Sequence, residues 1–133
     1  MPIESRRSTA WWRRRQSPVP ERSVRIVFVS GPDAETLQSM GRVLVEEGLA
    51  ACVNVFPGIT SVYRWEGETR VEPECMAMIK TTEGCVQAVR LRVADLHPYD
   101  VPEFVAVKVA EGSPAYLRWV RESVTDGSGD GEA

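Results

Sequence analysis

The sequence predicts an α+β domain with the order β-α-β-β-α-β and one further helix at its C-terminal end. Three observations carry this. Short runs rich in Val, Ile, Phe and Cys suit strands, two intervening segments place apolar residues at helical spacing, and turn or capping residues separate them.

Arg25-Ile26-Val27-Phe28-Val29 is the first β-prone run. Ser30-Gly31-Pro32-Asp33 supplies a turn and a helix start, with the Ser-x-x-Asp spacing of a capping box. Leu37, Met40 and Leu44 fall at i, i+3 and i+7, which predicts an amphipathic helix from Asp33 to about Glu47, with Gly48 as its C-terminal cap. Residues 50–56 form a second strand, closed by Pro57-Gly58. Ile59 to Trp65 alternates, and Glu66-Gly67-Glu68 turns it into a partner around Thr69-Arg70-Val71. Cys75 to Lys80 is a further strand. Thr82 caps a second helix whose apolar positions are Val86, Val89, Val93 and Leu96, and His97-Pro98-Tyr99 stops it. Phe104 to Val109 is the last main strand. Ser113-Pro114 then starts a helix to about Val124, a capping hydroxyl followed by a proline at the first helical position. This order is the ferredoxin-like arrangement, in which both main helices cover one face of an antiparallel sheet.

The uncovered face of such a sheet ordinarily alternates to polar residues, and here it does not. Val24, Ile26 and Phe28 oppose Arg25, Val27 and Val29. Cys75, Ala77 and Ile79 oppose Met76, Met78 and Lys80. Both faces are mostly apolar, and one spare helix cannot cover the second. Burial against other copies is the expected cover, so the sequence reads as an oligomer.

Composition agrees with a globular domain: 133 residues, 43% hydrophobic and 26% charged. No apolar run is long enough to cross a membrane as a helix. The three cysteines, Cys52, Cys75 and Cys85, form no C-x-x-C pair, which argues against a disulfide framework and for a reducing, cytoplasmic setting. The net charge of -3 is uneven. Residues 1–23 carry six Arg against Glu4 and Glu21, residues 24–124 carry ten basic and fourteen acidic side chains, and residues 125–133 carry Asp126, Asp130 and Glu132. An acidic body argues against nucleic-acid binding through the core domain.

Residues 1–23 therefore read as a disordered basic tail, 24–124 as the folded domain, and 125–133 as an acidic, Gly-rich tail. The first tail holds Arg6-Arg7, Trp11-Trp12 and Arg13-Arg14-Arg15, but Gln16-Ser17-Pro18 stands where a secretory signal needs an apolar segment. It suits either an arm that touches RNA or an anionic membrane, or an extension without a role.

Several short motifs carry a resemblance. Leu49-Ala50-Ala51-Cys52-Val53-Asn54, then Pro57 through Gly67 with Tyr63-Arg64-Trp65, then Lys80-Thr81-Thr82, His97-Pro98-Tyr99-x-x-Pro102-Glu103 and Tyr116-Leu117-x-Trp119 resemble the CutA divalent-cation tolerance family in order and spacing. The resemblance covers about Val24 to Val124. It implies a cytoplasmic homotrimer of ferredoxin-like subunits, a role in the response to metal ions with copper binding, an architecture similar to PII-type signalling trimers, and no established enzymatic reaction. In copper-binding members resembling the bacterial type, a Cys precedes the turn into the first helix and a His pair precedes Pro-Tyr. Val29 and the pair Leu96-His97 stand at those positions, so His97 alone of those ligands is present. Gly48 replaces a usual Arg or Lys.

Two groups of residues are candidates for chemistry. His97 and Cys52 are the metal candidates, an imidazole and a thiolate that with Met76 or Met78 sulfur would suit copper or another soft cation. Their packing alternatives are a helix-terminal imidazole and a small apolar strand residue. Tyr63, Trp65, Lys80, Thr81, Thr82, Tyr99 and Glu103 could line a cleft or interface between subunits. Lys80-Thr81-Thr82 at a strand-to-helix junction could receive an anion there, which gives a second reading as a PII-like signalling or scaffold trimer taking a small anionic ligand or a protein partner. No motif of phosphate-loop, zinc-protease or serine-hydrolase type is present, so no catalytic residue is assigned.

Overall fold

The computed structural model describes residues 22–125. The expected tails fall almost wholly outside the described residues.

Four strands form one antiparallel sheet in the order β2-β3-β1-β4. They are β1 (Val24–Gly31), β2 (Cys52–Trp65), β3 (Glu68–Thr82) and β4 (Val105–Lys108). Three helices connect or follow them: α1 (Ala34–Glu46), α2 (Val86–Leu96) and α3 (Pro114–Ser123). This is the ferredoxin-like order read from the sequence, with α3 added. No helix among the described residues is long and apolar enough to cross a membrane.

Register fixes which residues share a face. Val27 pairs with Ile79 and Val29 with Ala77, while Ile79 and Ala77 pair with Val53 and Val55 across β3. This face receives the helices: Leu37, Met40 and Leu44 of α1 and Val89 and Val93 of α2 are all buried in the core. A Cβ on Gly41 would stand 3.0 Å from Val53, so the small residue lets α1 settle on β2. The second face carries Ile26, Phe28, Met76, Met78 and Lys80, with Cys52, Asn54 and Phe56 of β2. There α3 lies against β1 and β3, with Lys80 Nζ 5.5 Å from the centre of the Tyr116 ring. Phe56 stays exposed, and Ile26, Phe28, Met76 and Met78 are only half-buried.

Four local expectations change. Asp33, not Ser30, caps α1, its Oδ1 accepting the Thr36 N–H at 2.7 Å; Ser30 is the penultimate residue of β1 and is buried. Pro57-Gly58 does not close a strand. β2 passes through a bulge between Phe56 and Ile59, Gly58 taking φ 77°. The segments around Thr69 and Cys75 are one strand. Pro73 is tolerated because it lies past Gly31↔Cys75, the last β1 pair, so only β2 runs beside it. Thr82 makes no side-chain cap; a 3₁₀ turn over Glu83–Cys85 precedes α2 instead.

The remaining punctuation holds. Gly48 takes φ 76° just past α1. Ser113 Oγ accepts the Tyr116 N–H ahead of Pro114. Glu66 (φ 51°) and Gly67 (φ 80°) make the two-residue hairpin turn whose positive φ angles match strand twist.

Candidate functional site

His97 is the first residue past α2, and its N–H caps the helix by donating to the Val93 carbonyl at 2.8 Å. The side chain is buried, and both ring nitrogens are engaged. Nδ1 accepts the Tyr99 backbone N–H at 3.1 Å, and Nε2 lies 2.7 Å from the Ser30 carbonyl oxygen. A carbonyl only accepts, so Nε2 carries the proton and the lone pair on Nδ1 is directed at Tyr99. The imidazole thus ties the end of α2 to the end of β1.

Tyr99 continues from this anchor. Its ring meets the His97 ring edge-on at 4.7 Å between centres, and its hydroxyl donates to Glu74 Oε2 at 3.0 Å. On the same strand face Tyr63 donates to Glu72 Oε1 at 2.6 Å. Burial, then the Glu74 carboxylate, pushes the Tyr99 phenol up to about 12. The Glu72 hydrogen bond raises Tyr63 in the same direction. The structure therefore brings Tyr63, Tyr99 and His97 together through two carboxylates that were not among the expected residues. The alternation of Arg70, Glu72 and Glu74 marks a polar strand face, but only the register places Tyr63 beside it.

The other candidates lie elsewhere. Lys80 is six residues beyond Glu74 along β3, about 20 Å at roughly 3.3 Å per residue. Thr81 is fully buried and its hydroxyl donates to the Leu49 carbonyl at 2.7 Å, Thr82 is buried, and Lys80 lies over Tyr116. Within one chain the Thr81 hydroxyl and the Lys80 ammonium thus serve the fold. Trp65 stands exposed beside the hairpin turn, and Glu103 is exposed in the loop before β4.

Cys52 begins β2 opposite Lys80, its thiol 3.6 Å from Asn54 Oδ1. Ser30, which His97 grips, pairs with Met76. Lys80 and Met76 are four residues apart on one strand, about 13 Å. Cys52 and His97 thus cannot share a metal within one chain, and no three His, Cys, Asp or Glu side chains gather into a metal site among the described residues.

Comparison with known proteins places this geometry. The family model described as "CutA1 divalent ion tolerance protein" matches residues 25–123. The divalent-cation tolerance protein CutA of Thermus thermophilus is 46% identical over 98 residues, covering 74% of this chain and 95% of that protein. Human Protein CutA is 43% identical over 107 residues, covering 78% of this chain and 60% of that protein. Among solved structures, the Thermus thermophilus protein superposes with a TM-score of 0.74 at 44% identity, over 76% of this chain and 98% of that one. CutA from Xylella fastidiosa gives 0.74 at 41% identity, over 77% and 98%. With the ferredoxin-like sheet, the long hairpin and a family match spanning nearly the whole folded domain, this chain belongs to the CutA divalent ion tolerance family.

Proposed function

We propose that this chain acts in the cytoplasm, as a homotrimer without a catalytic step of its own, in the response to divalent metal ions. The observation that carries the oligomer is apolar surface on the β2–β3 hairpin. Val62 is 66% exposed and Val71 opposite it 64% on one face, and Trp65 is 56% exposed on the other face, which it shares with Phe56 and the half-buried Met76 and Met78. A monomer leaves these in water. Packing them against other copies removes that cost and joins the hairpin to a neighbouring sheet. Family membership supports the metal-ion role.

Copper or another divalent cation is met where subunits adjoin, because the described residues of one chain do not gather three such donors. Cys52, half-buried on the second sheet face, is one such donor, and His97 joins only when the Tyr99 N–H releases Nδ1. Sedimentation of the reduced protein tests the assembly; a monodisperse monomer rules it out. Calorimetric copper titration of the wild type, His97→Ala and Cys52→Ser tests the donors. Weaker binding in either variant supports the assignment, and equal binding in all three removes both residues from it.

A further inference from the structure

The hairpin sets Arg70, Glu72 and Glu74 on one face of β3, at every second position. Both carboxylates are engaged by tyrosines, Glu72 by the Tyr63 hydroxyl and Glu74 by the Tyr99 hydroxyl. Arg70 stands across the strands from Tyr63, yet its guanidinium makes no hydrogen bond or ion pair among the described residues. The side chain is half-buried, and its Nε is shut off from solvent with no acceptor among those residues. A charged donor withdrawn from water is costly until an acceptor meets it, and a carboxylate fits the guanidinium fork with two parallel hydrogen bonds.

The surface around Arg70 points to where that acceptor comes from. Trp65, diagonal to it on the same face, and Val71, the next residue along β3, are both exposed. These are the apolar groups that other copies cover in the assembly proposed above, so a copy that covers them also meets Arg70. Each copy brings an excess of carboxylates, fourteen acidic against ten basic residues over 24–124. Like-charged bodies repel as they assemble, and an arginine at the contact offsets part of that repulsion. We propose that Arg70 is an ionic anchor of the subunit interface, its guanidinium receiving a carboxylate from a second copy of this chain. The proposal rests on the assembly and adds to it a site that one chain leaves incomplete.

Sedimentation of the full-length, reduced protein over a dilution series, in low and in high salt, tests this. Arg70→Gln is expected to raise the concentration at which the oligomer half-dissociates about tenfold in low salt. Arg70→Glu raises it further, because carboxylate then faces carboxylate, and Arg70→Lys, which keeps the charge but loses the fork, falls between wild type and Arg70→Gln. High salt narrows the gap between wild type and Arg70→Gln by screening the pair. Arg42→Gln, at an exposed arginine on α1 paired with Glu46, leaves the oligomer unchanged. Circular dichroism checks the fold of each variant, and Arg70→Lys carries the comparison if Arg70→Gln does not fold. A wild type that sediments as a monomer overturns the assembly and this proposal with it. A wild-type oligomer that Arg70→Gln leaves equally tight overturns this proposal alone. The same holds for a loss of thermal stability in Arg70→Gln that is equal at every protein and salt concentration, which would make Arg70 a brace within its own hairpin.

Discussion

His97 Nε2 donates to the Ser30 carbonyl at 2.7 Å across 67 residues of sequence, while Nδ1 accepts the Tyr99 N–H. One buried imidazole thereby engages a strand-end carbonyl and a loop amide. His97→Ala is expected to destabilise the fold by about 2 kcal/mol or more, since two backbone groups lose a buried partner. Urea unfolding at neutral pH measures this. A variant as stable as the wild type would show that the hydrogen bonds contribute nothing net.

The Tyr99–Glu74 contact predicts an alkaline limit. The folded phenol ionises near 12, above the ordinary value of 10, so the folded state holds a proton that the unfolded chain gives up first. Its contribution is complete below about pH 10 and is lost as pH rises through 12. Phenolate absorbance should show a late phase near pH 12 that Tyr99→Phe removes. In Glu74→Gln that phase moves down but stays above 10, because burial is the larger cause.

Glu47 and Arg92 bind through two parallel hydrogen bonds of 2.9 and 2.8 Å, joining the end of α1 to α2. The Arg92 hydrogen bond holds the Glu47 carboxyl below its ordinary 4.5. The stabilisation is present above that value and fades as pH falls through the lowered one. Glu47→Gln should therefore lower the melting temperature slightly at pH 7. The difference from wild type should close in acid, and a double-mutant cycle with Arg92→Gln should show coupling at pH 7 alone.

Gly48 is constrained twice. Its φ of 76° disfavours a side chain, and Thr125, whose N–H donates to the Gly48 carbonyl at 2.7 Å, occupies the space that a Cβ would need. Cys85 Sγ, 3.4 Å from the Thr125 carbonyl, also holds that residue. Gly48→Ala should cost about 1 kcal/mol for the backbone and more for the collision. Adding Thr125→Gly should recover the second part only, as measured by thermal denaturation. Full recovery would mean that φ carries no strain.

Local signals made most of the fold legible. Leu37, Met40 and Leu44 identify α1 by spacing alone, and Ser113-Pro114 identifies the start of α3. Two apolar faces in residues 24–29 and 75–80 gave the reason to expect an assembly. Continuity of the hairpin was not legible, because Pro57-Gly58 reads as a stop and the runs around Thr69 and Cys75, with Pro73 between them, read as two strands. Such prolines are stops only where both sides of a strand need partners, and neighbouring strands decide that. Thr82 likewise reads as a cap, yet the chain enters α2 through a 3₁₀ turn and leaves its hydroxyl out of the capping.

By itself the sequence determined the element order, the ferredoxin-like class and the identity of the reactive side chains, since these follow from periodicity within a dozen residues. Only the tertiary structure decided that His97 spends both nitrogens on Ser30 and Tyr99, that Tyr63 and Tyr99 meet Glu72 and Glu74, and that Cys52 lies about 13 Å along the sheet from the strand end His97 grips. Those relations join residues up to 67 positions apart. Their geometry comes from strand register, where a shift of one residue reverses every side chain, and no local pattern records it.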